Sequence, residues 1–279
     1  MGRSAVSFAT MMVHVNVEGT SIPRIRLAAN LADRFACDLI GIAACILPPY
    51  PAEGAYFVTR EMVERERQDI EASLARAEAA FRAAAGAGRP RLEWRSGIEL
   101  PEFYVASEAR AADLLIIGRN AESADVTRSL DAGGMVLRAG RPVLVVPPNV
   151  DVLAAERIIV GWRDTREARR ALRDALPFLQ RADAVTIVEI SDVESQVDGR
   201  RQVDDVVRYL ARRNVRAVSM IAACPENSVA DELIRLANAE GADLIVAGAY
   251  GHSRLGEWVF GGATRDLLAS SPVCCLMAH

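Results

Sequence analysis

Four glycines near the end of the chain, Gly248, Gly251, Gly261 and Gly262, follow the spacing G-x(2)-G-x(9)-G-G within "GAYGHSRLGEWVFGGATRDLLASSPVCCLMAH". The chemistry they offer is that of main-chain amides. Glycine reaches positive φ without steric cost and lets the backbone approach a phosphate closely. Amides at a helix start attract anions. Alone, the spacing serves a phosphate cradle and a structural turn equally well. His252, Ser253 and Arg254 lie inside the segment. The guanidinium of Arg254 suits bidentate phosphate binding or else is a solvated loop cation. His252 either reaches phosphate or packs its ring in the turn, and Trp258 reads as a packing anchor.

Other reactive constellations are missing from the sequence. Neither G-x-S-x-G nor a glycine-rich loop ending in Gly-Lys-Ser/Thr occurs, so no catalytic residue is assigned. Without a visible general base, any nucleotide hydrolysis is expected to be slow. The five cysteines, Cys37, Cys45, Cys224, Cys274 and Cys275, lack the spacing of a zinc site or a disulfide framework, and there are three histidines. No metal site is expected, and a reducing cytoplasm fits. His14, on a strand pattern, reads as a satisfied core histidine. Thirty-three basic and 37 acidic residues are interspersed, for a net charge of −4, which gives no footprint for nucleic acid or an anionic membrane. No apolar run approaches the roughly 20 residues a bilayer span needs. The opening "MGRSAVSFATMMVHVN" reads as a first strand rather than a signal peptide.

The elements that must hold the glycines come in two copies. "ADLLIIGRN" at Ala112 matches "ADLIVAGAY" at Ala242, an offset of 130 residues that persists without a gap to "RPVLVV" at Arg141 and "SPVCCL" at Ser271. Asp113 meets Asp243, and Gly118 meets Gly248. Each copy alternates β-branched runs with helical patterns, which predicts a parallel sheet covered on both faces. Strands are expected at "TMMVHVN", "DLIGIAAC", "RLEWRS", "DLLIIG" and "PVLVV", then at "RIIVGW", "AVTIVEI", "RAVSMIA", "DLIVAG" and "VCCLMA". Among the helices, one is expected over Thr127 to Arg138, another over "REARRALRDALPFL", and one starts near Gly262. The charged helix "REMVERERQDIEASLARAE" reads as a solvated face. "PPNVDVLAAE" at Pro147 reads as a linker. The fold class is therefore α/β, with two tandem, doubly wound, five-stranded parallel sheets over residues 1–149 and 155–279.

A strand, G-x(2)-G-x(9)-G-(S/T), a helix and a closing "PV" strand resemble the universal stress protein family, in its tandem, ATP-binding form. The resemblance implies a Rossmann-like fold, a glycine loop that holds phosphates, and a pair of repeats arranged like that family's dimer; a further homodimer of the whole chain stays open. It implies an adenine nucleotide (ATP, or AMP or ADP, with magnesium arriving alongside) as a regulatory ligand near Gly248, Gly251, His252, Arg254, Gly261, Gly262, Ala263 and Thr264. Trp162, Arg163, Asp164 and Ile190 would lie by the adenosine. Two positions depart from the family pattern. Gly262 stands at the Ser/Thr position, with Thr264 two residues on. Arg163 stands where an Asp is usual, with Asp164 one step later. In the first copy, Ala121, Asp131 and Ala132 stand opposite Gly251, Gly261 and Gly262, and a carboxylate at Asp131 would repel phosphate. That copy is expected to bind no triphosphate. The alternative is a stress-related interaction module of the same fold that binds no nucleotide.

Overall fold

The computed structural model describes residues 6–17, 21–47, 59–86, 88–89, 91–119, 130–148, 150–191, 196–223, 228–250 and 262–279. The first half contributes β1 (Thr10–His14), β2 (Asp38–Ala44), β3 (Leu92–Gly97), β4 (Leu114–Gly118) and β5 (Val143–Val146). The second contributes β6 (Arg157–Gly161), β7 (Ala184–Ser191), β8 (Ala217–Ala223), β9 (Leu244–Gly248) and β10 (Cys274–Ala278). Their order is β3-β2-β1-β4-β5-β10-β9-β6-β7-β8. Pairs within each half are parallel, so both expected five-stranded sheets are present. At the centre β5 and β10 run antiparallel, with Leu144 opposite Leu276, and weld them into one sheet. Four successive buried residues in β4 and in β9 match strands covered on both faces.

One face carries α1 (Ile22–Phe35), α2 (Arg60–Ala85), α5 (Arg166–Asp174), α6 (Leu176–Leu179) and α7 (Gln196–Ala211). The other carries α3 (Pro101–Glu108), α4 (Ala132–Arg138), α8 (Val229–Glu240) and α9 (Gly262–Ser270). The first of these cores is continuous across the halves. Phe8, Phe35 and Phe178 meet there with ring centroids 5.1 to 5.4 Å apart. The matched aspartates do matching work at the base of each half. Asp113 Oδ2 accepts from the amides of Ala9 and Thr10, while Asp243 Oδ2 accepts from that of Ala155.

Three expectations are corrected. The helix expected from Thr127 begins at Ala132, because Asp131 takes the N-cap. The helix expected over residues 166–179 divides at Ala175 into α5 and α6, where Pro177 lacks an N–H and would clash with a continuing turn. His14 is buried, but its Nε2 has no hydrogen-bond partner among the described residues, so it is not a satisfied core histidine. Burial, with the nearby Arg24 charge, pushes its pKa well down and keeps the ring neutral. The charged stripe on α2 does carry exposed pairs, Arg67 with Glu71 and Arg82 with Glu78.

Candidate functional site

In each half the strand order reverses at the first strand, between β1 and β4 and between β6 and β9. Beyond the carboxyl ends of strands at such a switch point, an open α/β sheet leaves a crevice for ligands. In the second half that crevice is bounded by the end of β6, the end of β7, Gly248 and the start of α9.

Gly248 closes β9 and lies against the first turn of α5. A Cβ built there would stand 2.7 Å from the Glu167 carbonyl carbon and 2.8 Å from Ala168 Cα. Only glycine lets strand and helix approach this closely. Tyr250 follows in the left-handed region at φ 56°, and its amide donates to Thr264 Oγ1 at 3.2 Å. Thr264 is buried on α9, so its hydroxyl ties the exit of β9 to the helix. Gly262 is exposed at the first position of α9, and a Cβ there would meet nothing nearer than Asp266 Oδ2 at 3.9 Å. Ala263 is half-buried beside it. Gly251, His252, Arg254 and Gly261, with Ser253 and Trp258, lie outside the described residues.

At the other wall, β6 ends at Gly161, so Asp164 stands beyond the strand in the turn before α5. Arg163 and Asp164 are exposed, and Asp164 Oδ1 accepts from Arg169 Nε at 3.0 Å and Nη2 at 2.6 Å. Trp162 turns its ring into the core, its amide donating to the Val188 carbonyl at 2.7 Å. Its indole Nε1 has no partner among the described residues. Ile190 is partly buried on β7 and packs on the opposite face.

Sequence reasoning passed over Glu189. Burial pushes its carboxyl upward, opposed by the Arg163 charge and reinforced by that of Asp164. Its Oε1 lies where a Cβ on Gly199 would come within 2.7 Å, and its Oε2 has no partner among the described residues. A charged residue at a position of otherwise apolar strand pattern was the available signal.

The first half differs at the start of the matching helix. Asp131 Oδ1 accepts from the Gly133 amide at 3.3 Å, and Oδ2 from the Gly134 amide at 2.6 Å. The carboxylate thus satisfies the orphan donors that would otherwise face an incoming anion. By the offset of 130 residues its counterpart is Gly261, which has no side chain to do so. Tyr250 reaches across the seam to the same helix start; a Cβ on Gly133 would come within 2.5 Å of its hydroxyl.

Comparison with known proteins agrees with this architecture. The family model for the universal stress protein family matches residues 155–279. A universal stress protein from Archaeoglobus fulgidus DSM 4304 superposes with a TM-score of 0.70 at 12% identity, over 96% of this chain and 95% of that one. A functionally unknown protein from Pseudomonas aeruginosa PAO1 gives a TM-score of 0.56 at 15% identity, over 97% of this chain and 92% of that one. At these identities the likeness is one of fold, and it extends over both halves. No curated protein matches the chain.

Proposed function

We propose, taking as premise the universal stress protein domain at residues 155–279, that the protein is a cytoplasmic, tandem stress-response protein whose second half binds one adenine nucleotide, with ATP as its regulatory ligand. The contrast at the two helix starts carries this reading. Asp131 already fills the amides of α4, whereas its second-half counterpart by sequence, Gly261, leaves those of α9 for a ligand. Gly248, Gly251 and Gly261 would bring main chain to the phosphates, Arg254 and His252 would add donors, and Gly262, Ala263 and Thr264 would present the helix start. Trp162, through its backbone, with Arg163, Asp164 and Ile190 would border the adenosine. The residues fit such a ligand at Gly248, where the close approach of α5 and β9 keeps side chains out of the crevice floor. Magnesium would come with the nucleotide. No residue is assigned to catalysis, and turnover is expected to be slow.

A second reading, an interaction module without nucleotide, is favoured by two observations. The Thr264 hydroxyl already accepts the Tyr250 amide, and Asp266 places a carboxylate in the first turn of α9. Titration calorimetry with ATP decides between them. Binding at one nucleotide per chain, abolished by Gly251→Trp with the circular dichroism unchanged, supports the first. Absence of heat at millimolar ATP, or affinity untouched by that substitution, removes it.

A further inference from the structure

In the first half, the third residue of α1 is Arg24, and the third residue of α5 in the second half is Ala168. Arg24 sends its guanidinium to the carboxyl ends of β1 and β4. Nε donates to the His14 carbonyl at 3.0 Å; Nη2 donates to Asn16 Oδ1 at 3.0 Å and to Ser21 Oγ at 3.1 Å. All three acceptors are neutral. No carboxylate lies within ion-pair distance of Arg24 among the described residues. Nη1 makes none of these bonds, and its edge lies over Gly118, where a Cβ would stand 3.0 Å from Cζ and closer still to Nη1. Glycine at the end of β4 therefore keeps open the space that this edge faces.

The surroundings add positive potential without cancelling it. Ser21 is buried at the N-cap of α1, but its hydroxyl is occupied by Arg24 and the Asn16 amide and caps no helical amide. The adjoining Arg119 also finds a neutral acceptor, the Ser271 carbonyl, at 2.7 Å. A half-buried guanidinium with neutral partners retains its full charge, and removing such a charge from water without a counter-ion is costly. Burial lowers its pKa to about 10, so it remains a cation at neutral pH.

We propose that the carboxyl end of β1 and β4 is a small-oxyanion site, with the Nη1 edge of Arg24 as the recognising group and a single phosphate or sulfate as the ligand class. A guanidinium edge presents parallel N–H donors that match two oxygens of such an anion. The site is distinct from the second-half nucleotide site and does not depend on it. Asp131 restricts it to one small anion, because a longer polyphosphate reaching α4 would meet that carboxylate.

The test follows the melting temperature and calorimetric heat of the full chain in chloride buffer as inorganic phosphate is added. Wild type and Gly251→Trp are expected to respond equally and saturably, Arg24→Gln to lose the response, and Arg24→Lys to bind severalfold more weakly because an ammonium lacks the fork. Should Arg24→Gln not fold, Gly118→Ala serves instead, since its methyl group displaces Nη1 and leaves the charge. A native circular dichroism spectrum with the phosphate response lost supports the site. Absence of a response in wild type, a response that survives both substitutions, or one lost in Gly251→Trp overturns it. Displacement of phosphate by ATP in Gly251→Trp would equally overturn the restriction to small anions.

Discussion

Two glycines of the same loop differ in what they do. Gly248 has the first turn of α5 against it, so Gly248→Ala forces strand and helix apart, at a cost of about 1–3 kcal/mol for overpacking. Gly262 faces open space, and Gly262→Ser is expected to stay within about 0.5 kcal/mol of wild type. Urea denaturation of both variants checks the pair, and equal costs would contradict the packing described. If the proposed nucleotide site is correct, Gly262→Ser also tightens ATP binding in calorimetry, because it supplies a hydroxyl at the helix start. Glu189 gives a residue-scale pH effect. Burial raises its folded pKa above the unfolded value, so the folded state holds the proton more firmly. Its contribution to stability is therefore fully present below the ordinary carboxylate range and lost as pH rises through the raised value. Glu189→Gln is expected to be more stable than wild type at neutral pH, with the gap closing in acid; denaturation at several pH values measures it, and a gap that widens in acid would be the wrong sign. Cys275 is buried on the last strand, and burial pushes its thiol up to about 11. It is expected to react with a thiol reagent at pH 8 only after unfolding.

At the scale of elements, the strands were legible because β-branched and apolar runs of the right length have few other ways to bury both faces. Helix ends were less so. "REARRALRDALPFL" has a continuous helical pattern, yet Pro177 divides it, and the start of α4 is set by one carboxylate rather than by periodicity. That cap is testable. Asp131→Ala removes the bonds to the amides of Gly133 and Gly134 and is expected to cost about 1 kcal/mol, the usual worth of an N-cap. Hydrogen exchange should speed at those two amides and leave β4 protected. Protection unchanged at Gly133 and Gly134 would mean that the cap does not hold the helix start.

Across the whole molecule, the seam and the shared core make the two halves one cooperative body. β5 pairs with β10, and Phe178 from the second half packs between Phe8 and Phe35 of the first. Phe178→Ala leaves a cavity at that junction and is expected to cost about 3–5 kcal/mol. Calorimetric unfolding of wild type should show a single transition. Two separate transitions, with only one of them moved by Phe178→Ala, would show that the halves unfold independently.

The amino-acid order by itself determined the duplication, the α/β class, the buried fourth strands and the inequality between Asp131 and Gly261, because each of these rests on local spacing and side-chain type. Only the tertiary structure decided that two sheets become one through an antiparallel pair, since strand partners far apart in the chain are chosen by the packing of whole faces. It alone placed the Arg24 guanidinium over Gly118 and left Glu189 half-buried without a partner for one oxygen. Such juxtapositions arise where separate strands end side by side, and no periodicity along a single segment encodes them.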